Sequence, residues 1–170
     1  MKIDLFSTKL YDILKDNFGI LDDEQFPLMP AKVVPFEEGV AKVNNPNKNS
    51  VYFIPLDKNI KCIRADGTQE SQCDALLICI RLQSIYDFYF VELKDMRTKA
   101  WIPDGVEQLK VTINNYKSNY DLSYLSIKMA FLANKKFAFY HSNSSHKELM
   151  EKFRNETGFR LSICATISIK

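Results

Sequence analysis

The stretch "CDALLICIRLQSIYDFYFVELKD", residues 73–95, contains two apolar runs, each with charged residues at one end. Asp74 opens the first run, and Glu92 and Lys94 close the second with one residue between them. The β-branched and aromatic residues predict two strands, joined by a hairpin that turns near residues 82–86. In an antiparallel pair, the start of the first strand lies opposite the end of the second. We therefore expect Asp74 to lie across from Glu92.

The strand that ends at Lys94 has a distinctive pattern on one of its faces. Side chains alternate along a strand, so Phe88, Phe90, Glu92 and Lys94 share a face. An E-x-K triplet alone is common on the solvent-exposed face of an antiparallel sheet, and that interpretation stays open. The two phenylalanines, however, indicate that this face is buried. Charges that continue a buried face need partners.

A pair of carboxylates at one end of a sheet predicts a cation site. Two such groups repel each other unless positive charge lies between them, and hard divalent cations prefer oxygen ligands. The pattern predicts Mg²⁺ or Mn²⁺ bound by Asp74, Glu92 and the carbonyl of Leu93. Such a metal lowers the pKa of a bound water, and Lys94 can orient that water or stabilise developing charge. This is the chemistry of phosphodiester hydrolysis.

The rest of the chain predicts an α/β fold of the α+β type with a mixed sheet. Apolar spacing, capping signals and turn residues give the order helix, β-meander, helix, strand, helix, strand. The predicted helices cover residues 8–19, 104–117 and 144–158, and the predicted strands cover residues 50–56, 60–64, 74–81, 87–93, 127–140 and 160–170. Residues 20–50 hold four of the six prolines and predict irregular chain with one short strand at residues 40–43.

Composition limits the class of protein. A chain of 170 residues with 46% hydrophobic residues is long enough for one domain with a core. The 23 basic and 21 acidic residues give a net charge of only +2, so attraction to a polyanion would depend on local clustering. The four cysteines have no CxxC spacing, which argues against a zinc ribbon. Charges interrupt the apolar residues at the start of the chain, so we expect a cytoplasmic protein without a membrane span.

The charged residues of the hairpin carry a resemblance to a known family. Asp74, seventeen intervening residues and then Glu92-Leu93-Lys94 before an amphipathic helix resembles the PD-(D/E)XK nuclease superfamily. This superfamily shares its core with type II restriction endonucleases. The resemblance implies that Asp74 and Glu92 bind Mg²⁺ (or Mn²⁺) and that Lys94 helps to activate water.

The resemblance also implies an architecture for the single domain, residues 1–170. A restriction-endonuclease-like αβββαβ core would centre on residues 50–135. Residues 1–49 would form an N-terminal helix and an irregular segment, and residues 136–170 a C-terminal helix and strand. Such nucleases often pair two copies to cut a duplex, so a homodimer is one expectation, and a protein partner that supplies specificity is another.

Some family features are altered or uncertain. Cys73 stands where the superfamily's name has proline. Related nucleases carry Q-x-x-x-Y on the helix, and here Gln108 is present whereas Thr112 stands at the tyrosine position. Apolar residues of the same helix are expected to pack on the sheet and to leave Gln108, Thr112 and Asn115 on another side, with Gln108 facing the site. Those apolar residues are Val106, Leu109, Ile113 and Tyr116.

The acid that the superfamily places in its first core helix has no unique counterpart. Glu38 is the preferred candidate because it lies just upstream of the first core strand. The alternatives are Glu37, Glu24 and Asp23.

Basic residues near the predicted site would suit a nucleic-acid backbone. These are Lys94, Arg97, Lys99, Lys110 and Lys117. A solvated basic face explains them equally well. His141 and His146 have no acid or cysteine at metal-ligand spacing and receive no role.

Two functional hypotheses follow. The first is a metal-dependent nuclease that hydrolyses DNA phosphodiester bonds, of the restriction, repair or mobile-element type. The second is a catalytically silent module of the same fold that binds nucleic acid or a protein. The sequence does not choose among single-stranded, duplex or branched DNA, or RNA, as the substrate.

Overall fold

The computed structural model describes residues 11–23, 25–64, 66–81, 85–95, 100–136 and 144–170. In these ranges the chain forms an α+β fold with ten strands and two α-helices, so the predicted α+β class is confirmed. The strands are β1 (Asp12–Leu14), β2 (Phe18–Leu21), β3 (Lys32–Val34), β4 (Ala41–Asn44), β5 (Ser50–Pro55), β6 (Ala75–Arg81), β7 (Ile85–Lys94), β8 (Ile127–Asn134), β9 (Arg160–Ile163) and β10 (Thr166–Ser168). The helices are α1 (Trp101–Asn119) and α2 (Ser144–Thr157).

The strands form two mixed sheets. The larger sheet has the order β1-β5-β6-β7-β8-β9. Its strands β5, β6 and β7 form an antiparallel meander, after which α1 leads to β8, parallel to β7, and α2 leads to β9, parallel to β8. The smaller sheet has the order β10-β4-β2-β3, in which β10 runs parallel to β4. The sequence predicted only one sheet.

The larger sheet is buried on both faces. Leu76 and Phe90 belong to a core that includes residues of α1 and α2, whereas Leu77 and Val91 belong to a second core shared with the smaller sheet. The molecule therefore has three layers, with the larger sheet in the middle. Burial on both sides explains why residues 75–80 of β6 and residues 88–91 of β7 are continuous apolar runs.

The predicted first helix is wrong over the residues that the structure describes. Residues 11–19 contain β1 and the start of β2, while residues 8–10 of the prediction lie outside the described ranges. β1 pairs with β5, and β2 pairs with both β3 and β4. These long-range pairs outweigh a local helical spacing, because helix propensity is a weak preference.

Three other elements differ from prediction. Residues 60–64 form no strand and contribute one isolated bridge, from Ile63 to Gln69. Residues 160–170 form β9 and β10, which join different sheets. Residues 20–50 contain β3, β4 and the second half of β2, although prolines predicted irregular chain apart from a strand at residues 40–43, where β4 lies. Part of the predicted strand at 127–140 lies outside the described ranges.

Two glycines allow the main chain to cross itself beside the smaller sheet. A Cβ atom added to Gly19 would lie 2.7 Å from the Cα atom of Gly39, which is main chain and cannot rotate away. We predict that Gly19→Ala lowers the free energy of unfolding by about 1–3 kcal/mol. Urea denaturation of both proteins checks this, and an unchanged midpoint would contradict the crossing.

Neither described helix combines the length and the apolar character needed to cross a membrane.

Candidate functional site

Asp74 and Glu92 meet where β6 begins and β7 ends. The register pairs Ala75 with Val91, and one further step places Asp74 opposite Glu92. The main-chain amide of Leu93 donates a hydrogen bond of 2.6 Å to Oδ2 of Asp74. The structure thus brings the two predicted acids to one end of the sheet.

Glu92 lies beneath helix α1 and is almost completely buried, with 2% of its surface exposed. A Cβ atom on Gly105 of that helix would lie 3.4 Å from Cγ of Glu92, so glycine allows the close approach. The carboxylate Oε1 lies 2.8 Å from Nζ of Lys94. Its Oε2 is buried and makes no hydrogen bond with any described residue. Such an unpaired oxygen is unusual in a protein interior and is a ready position for a ligand.

Lys94 is held by groups on two elements. Its ammonium lies 2.7 Å from Oδ2 of Asp104 and also donates to Oε1 of Gln108, both on α1. The amide of Gln108 then donates to the hydroxyl of Ser71 at 3.1 Å. Gln108 therefore faces the site as predicted, and it acts by positioning Lys94. Asp104 and Ser71 were not predicted.

The packing face of α1 agrees with the sequence at four positions and differs at one. Val106, Leu109, Ile113 and Tyr116 are buried, as predicted. Thr112, expected on another side, is also buried, and its hydroxyl accepts a 2.8 Å hydrogen bond from the amide of Cys73. This contact fixes the main chain next to Asp74.

The environment of Asp74 favours its neutral form. Burial is the main cause that raises the pKa of Asp74, from 3.8 to about 7. The hydrogen bond from the Leu93 amide lowers this pKa, the charges of Asp22 and Asp57 raise it, and Lys94 lowers it. Without a cation, the carboxyl group is therefore partly protonated at neutral pH.

The surroundings favour the neutral form of Glu92 and the charged form of Lys94. Burial, and then the charge of Asp74, raise the pKa of Glu92 well above its usual value, and Lys94 only partly offsets them. Burial lowers the pKa of Lys94, but Glu92 and Asp104 outweigh it, so its pKa is raised overall. Lys94 is consequently an ammonium ion at neutral pH.

Two further acids that the sequence interpretation missed approach the site from the strands nearby. Asp22 follows β2 and Asp57 follows β5. Nζ of Lys58 lies 3.4 Å from Oδ1 of Asp22 and 3.7 Å from Oδ2 of Asp57. Asp22 also lines a cavity of about 230 Å³ that includes Lys94. Only its adjacency to Asp23 in the sequence could have pointed to Asp22.

The structure places the candidates for the first-helix acid elsewhere or in other ion pairs. Glu38 is exposed in a 3₁₀ turn and, within the described ranges, makes no hydrogen bond or ion pair with Asp74 or Glu92. Glu37 pairs with Lys42 at 2.5 Å. Asp23 lines the same cavity as Asp22 and pairs with Lys32 at 3.0 Å, and Glu24 lies outside the described ranges.

The predicted basic cluster is only partly assembled. Lys110 pairs with Glu107 at 3.0 Å and with Glu156 at 3.2 Å, so its positive charge is already balanced by carboxylates. Lys117 lies in the last turn of α1, about 20 Å along the helix from Asp104 at 1.5 Å per residue. Arg97 and Lys99 lie outside the described ranges. The unpredicted Lys135 lines the cavity beside Lys94.

The donor set fits a hard divalent cation. Across the residues that the structure describes, no three His, Cys, Asp or Glu side chains converge as metal ligands. Mg²⁺ does not need three, because it keeps several waters and commonly binds one or two carboxylates plus substrate phosphates. The amide of Leu93 is directed to Asp74, and the carbonyl of an extended residue faces the same neighbour as its amide. Asp74, Glu92 and this carbonyl therefore remain a coherent set of oxygen donors.

Known proteins give no relative for this chain. No protein-family model, curated protein or solved structure matches it. The function of the protein must therefore be inferred from its fold and from the chemistry of the site.

Proposed function

We propose that this protein is a metal-dependent nuclease that hydrolyses phosphodiester bonds in DNA. The observation that carries the proposal is the buried Asp74–Glu92 pair, in which one oxygen of Glu92 has no hydrogen-bond partner while Lys94 contacts the other. A protein that only needed a stable core would be expected to fill this position with apolar residues. The desolvation free energy of burying two carboxylates is offset where a cation binds them.

The order of the elements supports a restriction-endonuclease-like core. The antiparallel strands β5, β6 and β7, followed by α1 and a parallel β8, have the order of the βββαβ part of the αβββαβ core. The acids lie at the end of β7 and the start of β6, as that resemblance implies. Only the βββαβ part of the core is supported, because the described residues before β5 form strands and a 3₁₀ turn and no α-helix.

In the proposed site, Mg²⁺ or Mn²⁺ would supply Lewis acidity and lower the pKa of a bound water. Asp74 and Glu92 would hold the ion; because their raised pKa values favour bound protons in the metal-free protein, metal binding would have to displace those protons. Lys94 is protonated, so it suits stabilisation of negative charge on the phosphate in the transition state better than proton abstraction. Gln108 and Asp104 position that ammonium.

A specific contact favours the alternative, a catalytically silent module of the same fold. The ammonium of Lys94 already lies between Glu92 and Asp104, which partly neutralises the acid without any metal. In this alternative the protein binds nucleic acid or a protein partner and cuts nothing.

Cleavage assays separate the two functions. Purified protein is incubated with single-stranded, duplex and branched DNA and with RNA, in Mg²⁺, Mn²⁺ or a chelator. We expect DNA to be nicked or degraded only with the metal, and Asp74→Ala to lose this activity. If Asp74→Ala cuts as well as the parent, the site is wrong. If both proteins bind DNA and neither cuts, the silent module is the better account.

Lys94→Met tests the role given to the ammonium. We expect cleavage to slow by about 10²–10³-fold, as when one electrostatic donor is removed from an active site. Mn²⁺ binding by calorimetry should remain within about threefold, because no metal ligand is removed. Lys136→Met is the matched control, since Lys136 lies in the turn after β8 and its ammonium is paired with Asp95 at 2.7 Å. Equal loss of metal binding and cleavage in Lys94→Met would contradict this role.

Assembly and location remain predictions. A homodimer would place two sites on one duplex, and sedimentation with and without DNA checks for it. A cytoplasmic location and a partner that supplies specificity likewise follow from the sequence interpretation alone.

A further inference from the structure

A cavity of about 430 Å³ lies far from the acid pair, at the end of the larger sheet where β8 and β9 begin, and residues of both the smaller sheet and α2 contribute to its lining. The register aligns Tyr89 of β7, Met129 of β8 and Arg160 of β9 in one row across the floor of this cavity. Ser168 of β10 lines it from the smaller sheet. Tyr89 is five residues before Lys94, or about 17 Å along an extended strand. The cavity is therefore separate from the candidate nuclease site.

Four cationic side chains line this cavity, and none of the described residues that line it is acidic, so we call it the basic cavity. The cations are Lys128, Arg154, Arg160 and Lys170. None of the four forms an ion pair with a described residue. Most of the other lysines and arginines that the structure describes do form one. They come from β8, α2, β9 and the residues after β10, so the fold gathers charges that are dispersed in the sequence. Unpaired cations around one concavity attract an anion.

Acids outside the lining do not cancel this charge. Asp87 is near enough to contribute to the raised pKa of the Tyr89 hydroxyl, after the larger effect of burial. Its carboxylate is paired with Arg81 at 2.8 Å. Hydrogen bonds from Ser123, and then the charge of Lys128, lower the pKa of Asp121, which is fully exposed. Among the described residues that line the cavity, every charged side chain is a cation.

Tyr89 provides an independent sign of a ligand. Only 2% of this residue is exposed, and its hydroxyl lies beside the main chain of Lys170 without a hydrogen bond of normal geometry. A buried hydroxyl usually has a partner. The ring of Tyr89 lies 6.3 Å from that of Phe131, which also lines the cavity. A polar group and an apolar surface thus adjoin the cations.

We propose that the basic cavity binds a small phosphorylated molecule of the nucleotide class. Arginine and lysine side chains bind phosphate oxygens through charge-assisted hydrogen bonds. Phe131 and Met129 offer an apolar surface for a base, and the volume falls in the range of small-molecule sites. This proposal does not depend on the nuclease proposal, because it uses none of the same residues.

Calorimetry with AMP tests the proposal on the intact chain, in a chelator so that the acid pair takes no part. We expect AMP to bind, and Arg160→Ala and Arg154→Ala each to weaken binding about tenfold or more, as each removes charged hydrogen bonds. Both arginines are exposed, so the variants should fold. Lys152→Ala is the matched control on α2 and should bind AMP as the parent does. Glu92→Gln should also bind normally, which separates the two proposals.

Other probes identify which part of the ligand the basic cavity recognises. Inorganic phosphate should compete with AMP, adenosine should bind much more weakly, and a five-residue oligothymidylate should bind no better than AMP. Tyr89→Phe should weaken AMP binding and leave the apo protein at least as stable, because it removes an unpaired hydroxyl. Absence of AMP binding at millimolar concentration, equal effects of Arg160→Ala and Lys152→Ala, or preference for the oligonucleotide or for adenosine would overturn the proposal.

Discussion

Glu92→Gln is expected to lower Mg²⁺-dependent DNA cleavage by about a thousandfold or more. Glutamine keeps the size of the side chain and an oxygen that can contact Lys94, but it lacks the negative charge. It also replaces one carboxylate oxygen by an amide donor, which repels a cation. The unpaired Oε2 of Glu92 is the atom best placed for the metal, so the loss should appear in the chemical step and in metal affinity together.

Glu107→Gln is the matched control for this substitution. Glu107 lies on α1, is exposed and pairs with Lys110, so its charge is outside the proposed site. Initial cleavage rates of the parent and both variants are compared across Mg²⁺ concentrations. The expected result is cleavage within about threefold of the parent in Glu107→Gln and a loss of about a thousandfold or more in Glu92→Gln. A rate for Glu92→Gln close to that of the parent would remove Glu92 from the mechanism.

Without metal, the protein should become less stable as the pH rises from 5 to 8. The folded-state pKa values of Asp74 and Glu92 are raised, so these groups contribute stability that is fully present below their unfolded pKa values near 4. That contribution is lost as the pH passes through the folded pKa, about 7 for Asp74. The change in the pKa of Asp74 from 3.8 to about 7 corresponds to about 4 kcal/mol in the free energy of unfolding.

Thermal melting in a chelator measures this effect. We expect the melting temperature to fall by about 5–15 °C between pH 5 and pH 8. The lowered pKa values of Asp23, Asp66 and Asp121 act below this window. Lys94 stays protonated throughout because its pKa is raised. The acid pair should therefore dominate the slope.

Two additions isolate the acid pair. Asp74→Asn should flatten the slope and raise the melting temperature at pH 8, because a neutral side chain needs no proton. Saturating Mn²⁺ should stabilise the parent at pH 8 and have little effect on this variant. A melting temperature that rises with pH in the chelator, or an equal slope in Asp74→Asn, would contradict the charge account.

The acid pair could be predicted because its geometry is local. Residue 74 lies opposite residue 92 once the two runs are recognised as antiparallel neighbours, and alternation fixes the faces; the turn was predicted near residues 82–86, but residues 85 and 86 already belong to β7. The phenylalanines on the Glu92 face indicated burial, and Phe88 and Phe90 are indeed buried. Helix α1 was also predictable, because its apolar stripe is long and regular.

The surroundings of the pair depend on contacts between distant segments. Asp22 and Asp57 reach the site through the chain that follows β2 and β5, and nothing in their local sequence indicates that position. Asp104 resembles an ordinary first-turn acid, yet it contacts Lys94. Thr112 looked polar and exposed, although its hydroxyl fixes the main chain beside Asp74.

The smaller sheet was missed for a related reason. β2, β3, β4 and β10 are three or four residues long and come from both ends of the chain. Short strands carry little periodic signal, and pairing with distant partners determines them. The basic cavity needs this sheet, since Ser168 and Lys170 complete it.

A crystal structure of the protein soaked in Mn²⁺ tests the central claim most directly. The anomalous signal of manganese shows where the ion lies without any assumption about substrate. We predict one peak within about 2.0–2.6 Å of carboxylate oxygens of both Asp74 and Glu92. The same soak of Glu92→Gln should show no peak there. An ordered manganese ion elsewhere, with the Asp74–Glu92 site empty at saturating Mn²⁺, would contradict the account.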